Sequence, residues 1–113
     1  LAGDYILQSI SKIIHGEIRN EDIFGRYGGD EFLIALPATN LKDAEIAAEK
    51  IRKSIHNETF VFDQINIKVT LSMGISVANN SADTIEAVIE NSDSALYLAK
   101  KNGRNRVEVY QEK

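Results

Sequence analysis

Cysteine is absent from this 113-residue chain. That removes any disulfide framework or thiolate metal site and fits a reducing cytoplasm. A surplus of basic charge is missing too: 13 Lys and Arg stand against 17 Asp and Glu, leaving a net charge of −4. No broad basic surface is therefore available to duplex nucleic acid, and a phosphate-bearing partner must be met by a local cluster of cations. No apolar run approaches the roughly 20 residues of a membrane span. The opening LAGDYILQSI has neither the basic segment nor the apolar core of a secretory signal. Internal repeats and low-complexity linkers are also lacking.

What remains is ordinary for a folded domain: 43% hydrophobic and 27% charged residues in a length that suits one core. Ile6, Leu7, Ile10, Ile13, Ile14 and Ile18 recur at helical spacing, so a helix is predicted from Asp4 to Ile18. Ile23 to Tyr27 and Phe32 to Leu36 read as two strands of a hairpin around GGDE. After Pro37 and Asn40, the positions Leu41, Ala44, Ala48, Ile51 and Ile55 define a second helix. Strict alternation from Ile65 to Val77 predicts a long strand, with Phe60 to Phe62 pairing to its start through an Asp63-Gln64 turn. A third helix begins at Asp83 or Thr84 and ends near Gly103, and Arg106 to Tyr110 forms a last strand. This order predicts an α+β sandwich of helices on a mainly antiparallel sheet, with the hairpin tip exposed at one end.

The hairpin tip is the chemically unusual place. Gly28 and Gly29 suit a tight turn, and Asp is a common turn residue, so turn formation alone accounts for much of it. Adjacent carboxylates at Asp30 and Glu31 are nevertheless a liability without a cation. Together they offer hard oxygen ligands to a divalent metal, while the glycines let a nucleotide approach the backbone. The cluster KKNGRNR, Lys100 to Arg106, complements the dipole at the end of the third helix, a sufficient role for Lys101 and Arg106.

RYGGDEF, Arg26 to Phe32, resembles the signature of the GGDEF family, the diguanylate cyclases. AEKIR (Ala48 to Arg52), VTLSMGIS (Val69 to Ser76), SDSALYLAKKNGRN (Ser92 to Asn105) and the opening Gly3-Asp4 follow in the family's order and approximate spacing. The resemblance covers nearly the whole chain. It implies a nucleotidyl-cyclase or ferredoxin-like sandwich and a bacterial signalling enzyme that condenses two GTP into cyclic di-GMP plus pyrophosphate across a homodimer. By resemblance, Asp30 binds the metal (Mg2+ or Mn2+) and Glu31 assists in metal binding or activates the hydroxyl. Gly28 and Gly29 admit the nucleotide, Asp4 accepts from guanine, and Lys100 and Arg104 hold the terminal phosphates.

Arg19 and Asp22 resemble the family's inhibitory RxxD site for cyclic di-GMP. Some relatives add an Arg from the next helix, where this chain has Lys50. His15 and His56 read as solvated, Tyr27 and Phe32 as hairpin packing, and Asp93 and Tyr97 as structural. The family's first strand, with its metal-binding Asp and the helix after it, has no counterpart before Leu1. Residues 1–113 thus read as one GGDEF domain lacking that strand and helix, catalytically silent as it stands. The strand's loss is expected to leave two sheet edges open. A longer protein would carry an upstream sensory or regulatory domain and work in the bacterial cytoplasm, either free or tethered to a membrane sensor, with no membrane contact by this domain. A non-catalytic receptor of cyclic di-GMP or GTP, acting through the RxxD site, is the alternative.

Overall fold

The computed structural model describes residues 1–79 and 83–111. Three helices form where the periodicity requires them: α1 at Ala2–Glu17, α2 at Leu41–Asn57 and α3 at Ile85–Lys101. Two begin on side-chain caps. Asn40 accepts from the Asp43 N–H at 2.8 Å, and Thr84 accepts from the Ala87 N–H at 3.0 Å, each satisfying a donor that the first turn leaves unpaired. α3 ends as its glycine predicts, with the Asn102 N–H returning to the Leu98 carbonyl and the Arg104 N–H to Ala99, both at 2.8 Å.

The strands are β1 (Ile23–Gly28), β2 (Glu31–Ala35), β3 (Phe60–Phe62), β4 (Ile65–Ile67), β5 (Ser72–Ile75) and β6 (Arg106–Val109). β1 and β2 pair antiparallel, as do β3 and β4, whose connecting Asp63 and Gln64 both adopt positive φ as a two-residue hairpin demands. β5 and β6 run parallel, with α3 as the crossover between them. The long strand expected from Ile65 to Val77 is interrupted at residues 68–71. Its two ends serve different partners, β3 and β6, so no single ladder can run through. The side-chain alternation survives the break, because Val69 and Leu71 still pack on the core.

That core joins Ile6, Ile10 and Ile14 of α1 to Ile51 and Ile55 of α2 and Phe60 of β3, with Phe24, Phe32, Ile34 and Met73 packed at its margin. Each fully buried side chain of this size contributes about 1.5–3 kcal/mol. α3 approaches the sheet differently, through small residues. Ala95 and Ala99 are fully buried, and a Cβ built on Gly74 would lie 2.2 Å from the Ser92 carbonyl oxygen and 2.3 Å from the Leu96 nitrogen. The helix backbone therefore rests directly on β5. Among the described residues β2 pairs only with β1, and β5 only with β6. No helix among them is long and apolar enough to cross a membrane.

Gly74→Ala forces the α3 backbone off its seat, since the obstructing atoms are main chain. A loss of about 1–3 kcal/mol or more is expected in chemical denaturation, and an unchanged midpoint would contradict the close approach.

Candidate functional site

Between β1 and β2 the chain turns through Gly29 and Asp30, and the pairing slips there: Arg26 opposes Phe32, but Gly28 opposes Glu31, leaving Tyr27 as the extra residue of a bulge. Gly29 has φ +51, the left-handed conformation glycine adopts without strain. Arg26 fastens the turn, its Nε and Nη2 donating to the Gly29 carbonyl at 2.8 and 2.5 Å. Nothing lies within 4 Å of a Cβ placed on Gly28 or Gly29. Gly28 also lacks a positive φ, so nothing among the described residues requires glycine there. The open space above the turn does suit a molecule that must reach the backbone.

Asp30 is exposed at the tip, and its carboxylate makes no hydrogen bond or ion pair among the described residues. Glu31 opens β2, and its Oε2 lies 3.7 Å from Nζ of Lys100 in the last turn of α3. Both side chains are 40% exposed, so the pair contributes at most about 1 kcal/mol. Its importance is positional: residues 69 apart in sequence meet, joining the hairpin to the end of α3. Arg104 is exposed just beyond that helix end, its guanidinium unpaired among the described residues. The acidic turn and the basic end of α3 thus meet through Glu31 and Lys100. Asp4 is exposed in the first turn of α1, with no side-chain hydrogen bond or ion pair among the described residues.

The chain matches the family model described as "Diguanylate cyclase, GGDEF domain" over residues 1–106. It belongs to the GGDEF family. Diguanylate cyclase A of Treponema denticola is 42% identical over 106 residues, which cover 94% of this chain and 29% of that protein. Among solved structures, the active GGEEF domain of a diguanylate cyclase from Vibrio cholerae superposes with a TM-score of 0.88 at 35% identity, covering 97% of this chain and 69% of that one. The coiled coil and GGDEF domain of a Caulobacter crescentus protein, solved in complex with c-di-GMP, gives 0.88 at 25% identity over 96% of this chain and 58% of that one. The chain spans less than a third of the Treponema relative's length.

The GGDEF family uses a divalent metal. Among the described residues no group of three or more His, Cys, Asp or Glu gathers as a ready-made cage. Exposed oxygen donors on consecutive residues do suit a hard cation that retains waters and takes further ligands from a nucleotide. Asp30 and Glu31 fit that requirement.

Arg19 and Asp22 form a different kind of unit. Asp22 is 3% exposed, and it accepts from the Arg19 N–H at 2.8 Å and from the guanidinium at 3.2 and 3.4 Å. The same guanidinium donates to Thr39 Oγ1 at 2.6 Å and to the Pro37 carbonyl at 3.2 Å. Arg19, 52% exposed, is the member that faces solvent, and Asp22 is the clasp that holds it. Lys50 stands nearby with Nζ 3.8 Å from Glu17 Oε2. His15 is exposed, as expected, and its ring meets Phe24 edge-on at 4.8 Å. A network around Arg52 on α2, described below, escaped the sequence reading. Its traces were the Glu49–Arg52 spacing inside AEKIR and the Asn after Arg104.

The Arg19 backbone N–H and then its guanidinium hold Asp22 below its ordinary pKa of 3.8, outweighing burial. A depressed pKa stabilises the fold above the unfolded value and loses that stabilisation as pH falls beneath it. The urea midpoint should therefore drop between about pH 5 and about pH 3, and Asp22→Asn should lower it at neutral pH while flattening that drop. Parallel pH profiles for the two proteins would exclude the clasp.

Proposed function

We propose that this chain is the nucleotide-binding and catalytic part of a diguanylate cyclase, joining two GTP molecules into cyclic di-GMP with release of pyrophosphate. The observation that carries this reading is the meeting of Glu31 with Lys100 at 3.7 Å beside an unobstructed glycine turn. A chain of net charge −4 can receive a triphosphate only where cations gather locally. Lys100, beside Glu31, and Arg104, just beyond the same helix end, support that reading. Asp30 and Glu31 are the residues that would hold Mg2+ or Mn2+, which when bound neutralises phosphate charge and polarises the attacked phosphorus.

The remaining work is positioning. The turn aligns the nucleotide against Gly28 and Gly29, Lys100 and Arg104 bind the β- and γ-phosphates, and Asp4 accepts from the guanine edge. The 3′-oxygen of one GTP forms a bond to the α-phosphorus of the other as the bond to the β-phosphate oxygen breaks, and the hydroxyl proton passes toward Glu31. One hairpin presents one GTP, so two copies must face each other across a two-fold axis, and each phosphodiester forms in turn. Arg19, clasped by Asp22, offers its exposed guanidinium edge to a phosphate or guanine of the product at a separate inhibitory site. Substrate and product are cytoplasmic nucleotides, which puts the domain in the cytoplasm, regulated by whatever sensory segment a longer protein carries.

Among the described residues β2 pairs only with β1 and β5 only with β6, and the family resemblance implies a further strand there carrying an additional metal ligand. On that reading residues 1–113 by themselves should show no turnover. The longer protein, given GTP and magnesium, should make cyclic di-GMP. Glu31→Gln should reduce that rate about 10²–10⁴-fold with the melting curve unchanged, and Arg19→Ala should keep the rate while relieving inhibition by added product. Absence of cyclic di-GMP from the well-folded longer protein would refute the proposal.

A further inference from the structure

Arg104 and Asn105 are consecutive non-glycine residues in the left-handed region, with φ +64 and φ +49. Such residues persist only when their surroundings over-determine them, and they concentrate where a side chain must be aimed. Asn tolerates this conformation, whereas Arg gains nothing from it locally. The restraint comes from α2. Arg52, 15% exposed, grips Glu49 through Nε at 2.6 Å and Nη2 at 2.9 Å, then uses its remaining Nη1 to donate to Asn105 Oδ1 at 2.7 Å. Asn105 Nδ2 lies 3.4 Å from His56 Nδ1, and the Asn105 N–H donates to Ser72 Oγ at 3.2 Å. One asparagine is thus held from two residues of α2 and from β5, immediately after the residue assigned to the terminal phosphates.

We propose that Arg52 and Asn105 are positioning residues for nucleotide binding: the Glu49–Arg52 fork on α2 locks Asn105, and Asn105 locks the left-handed backbone that aims Arg104 beside Lys100. This rests on the reading that those two cations take the β- and γ-phosphates. Neither positioning residue touches the nucleotide. The arrangement needs arginine in particular, because its planar fork serves a carboxylate with two donors and leaves a third free for the amide oxygen, which a lysine ammonium cannot reproduce in one plane.

Two variants of the longer protein test it. Arg52→Lys keeps a cation beside Glu49 but loses the fork, and Asn105→Gly keeps the left-handed backbone comfortable while deleting the side chain that pins it. Each is expected to weaken GTP binding about tenfold, the scale of coupling within one hydrogen-bonded network, with binding of GMP, which lacks the terminal phosphates, unchanged within about twofold. In an Arg104→Ala background neither should cost anything further. Equal losses for GTP and GMP, or losses that add to that of Arg104→Ala, would reduce the network to general scaffolding and overturn the proposal, as would wild-type GTP affinity in both variants. Should Arg52→Lys fail to fold, Asn105→Gly decides alone. A wild-type protein that binds no GTP would instead strike down the functional reading on which this one stands.

Discussion

The seat of α3 on β5 fixes nearly everything else at the site. Because Gly74 presents no side chain, the helix backbone lies directly against the strand, and fully buried Ala95 and Ala99 keep the approach short. A helix held that closely has little freedom to slide, so its last turn ends where the strand dictates. That turn carries Lys100, and the segment beyond it carries Arg104 and Asn105. The hairpin, meanwhile, is located by its own packing, through Phe24, Phe32 and Ile34 at the edge of the isoleucine core. Two independently anchored elements therefore converge at Glu31 and Lys100. Core packing is stiff on the scale of tenths of an ångström, so the convergence is a property of the fold rather than of the weak ion pair found there.

Most of the fold was legible because local chemistry and global packing agree. Of the two expected starts of α3 it is Thr84 that caps it, Asn40 caps the helix it was read as preceding, Gly103 ends α3, and Asp63-Gln64 turns the short hairpin. The strand break at residues 68–71 was not legible, since alternation reports which side chains face the core and says nothing about which neighbour supplies hydrogen bonds. Candidate site residues came from the glycine–carboxylate turn as a local pattern and, for Lys100 and Arg104, from the family resemblance. The Arg52–Asn105 contact spans 53 residues, and no local pattern can report it. Asp22 shows the same limit from the other side. Its spacing from Arg19 reads as an exposed recognition motif, whereas the carboxylate is spent within the chain.

The molecule divides its charged groups into two kinds. Asp22, held by the backbone N–H and guanidinium of Arg19, and Glu49, held by the guanidinium of Arg52, are saturated carboxylates: each accepts at short range, and both lie below their ordinary pKa values for that reason. Such groups hold geometry. Asp30, Arg104 and Asp4 are exposed, and their side chains are uncommitted among the described residues. Groups of this second kind are available to a ligand, and one of them, Arg104, precedes the Asn105 that Arg52 holds.

Glu31 and Lys100 fall between the two kinds, and that position suits a site that must fill and empty. A tight buried pair would resist exchange, because separating it strands a desolvated charge at a cost of several kcal/mol. At 3.7 Å and 40% exposure this pair stays hydrated and is worth at most about 1 kcal/mol. On the proposed reading, a metal–triphosphate complex would take both partners at once, the carboxylate turning to the cation and the ammonium to phosphate, with almost no loss of prior stability. The pair itself neutralises charges that would otherwise repel one or other half of such a complex. An acidic chain can in this way keep a cationic anchor for a polyanion without raising a basic surface, since the anchor's charge is balanced until the ligand arrives.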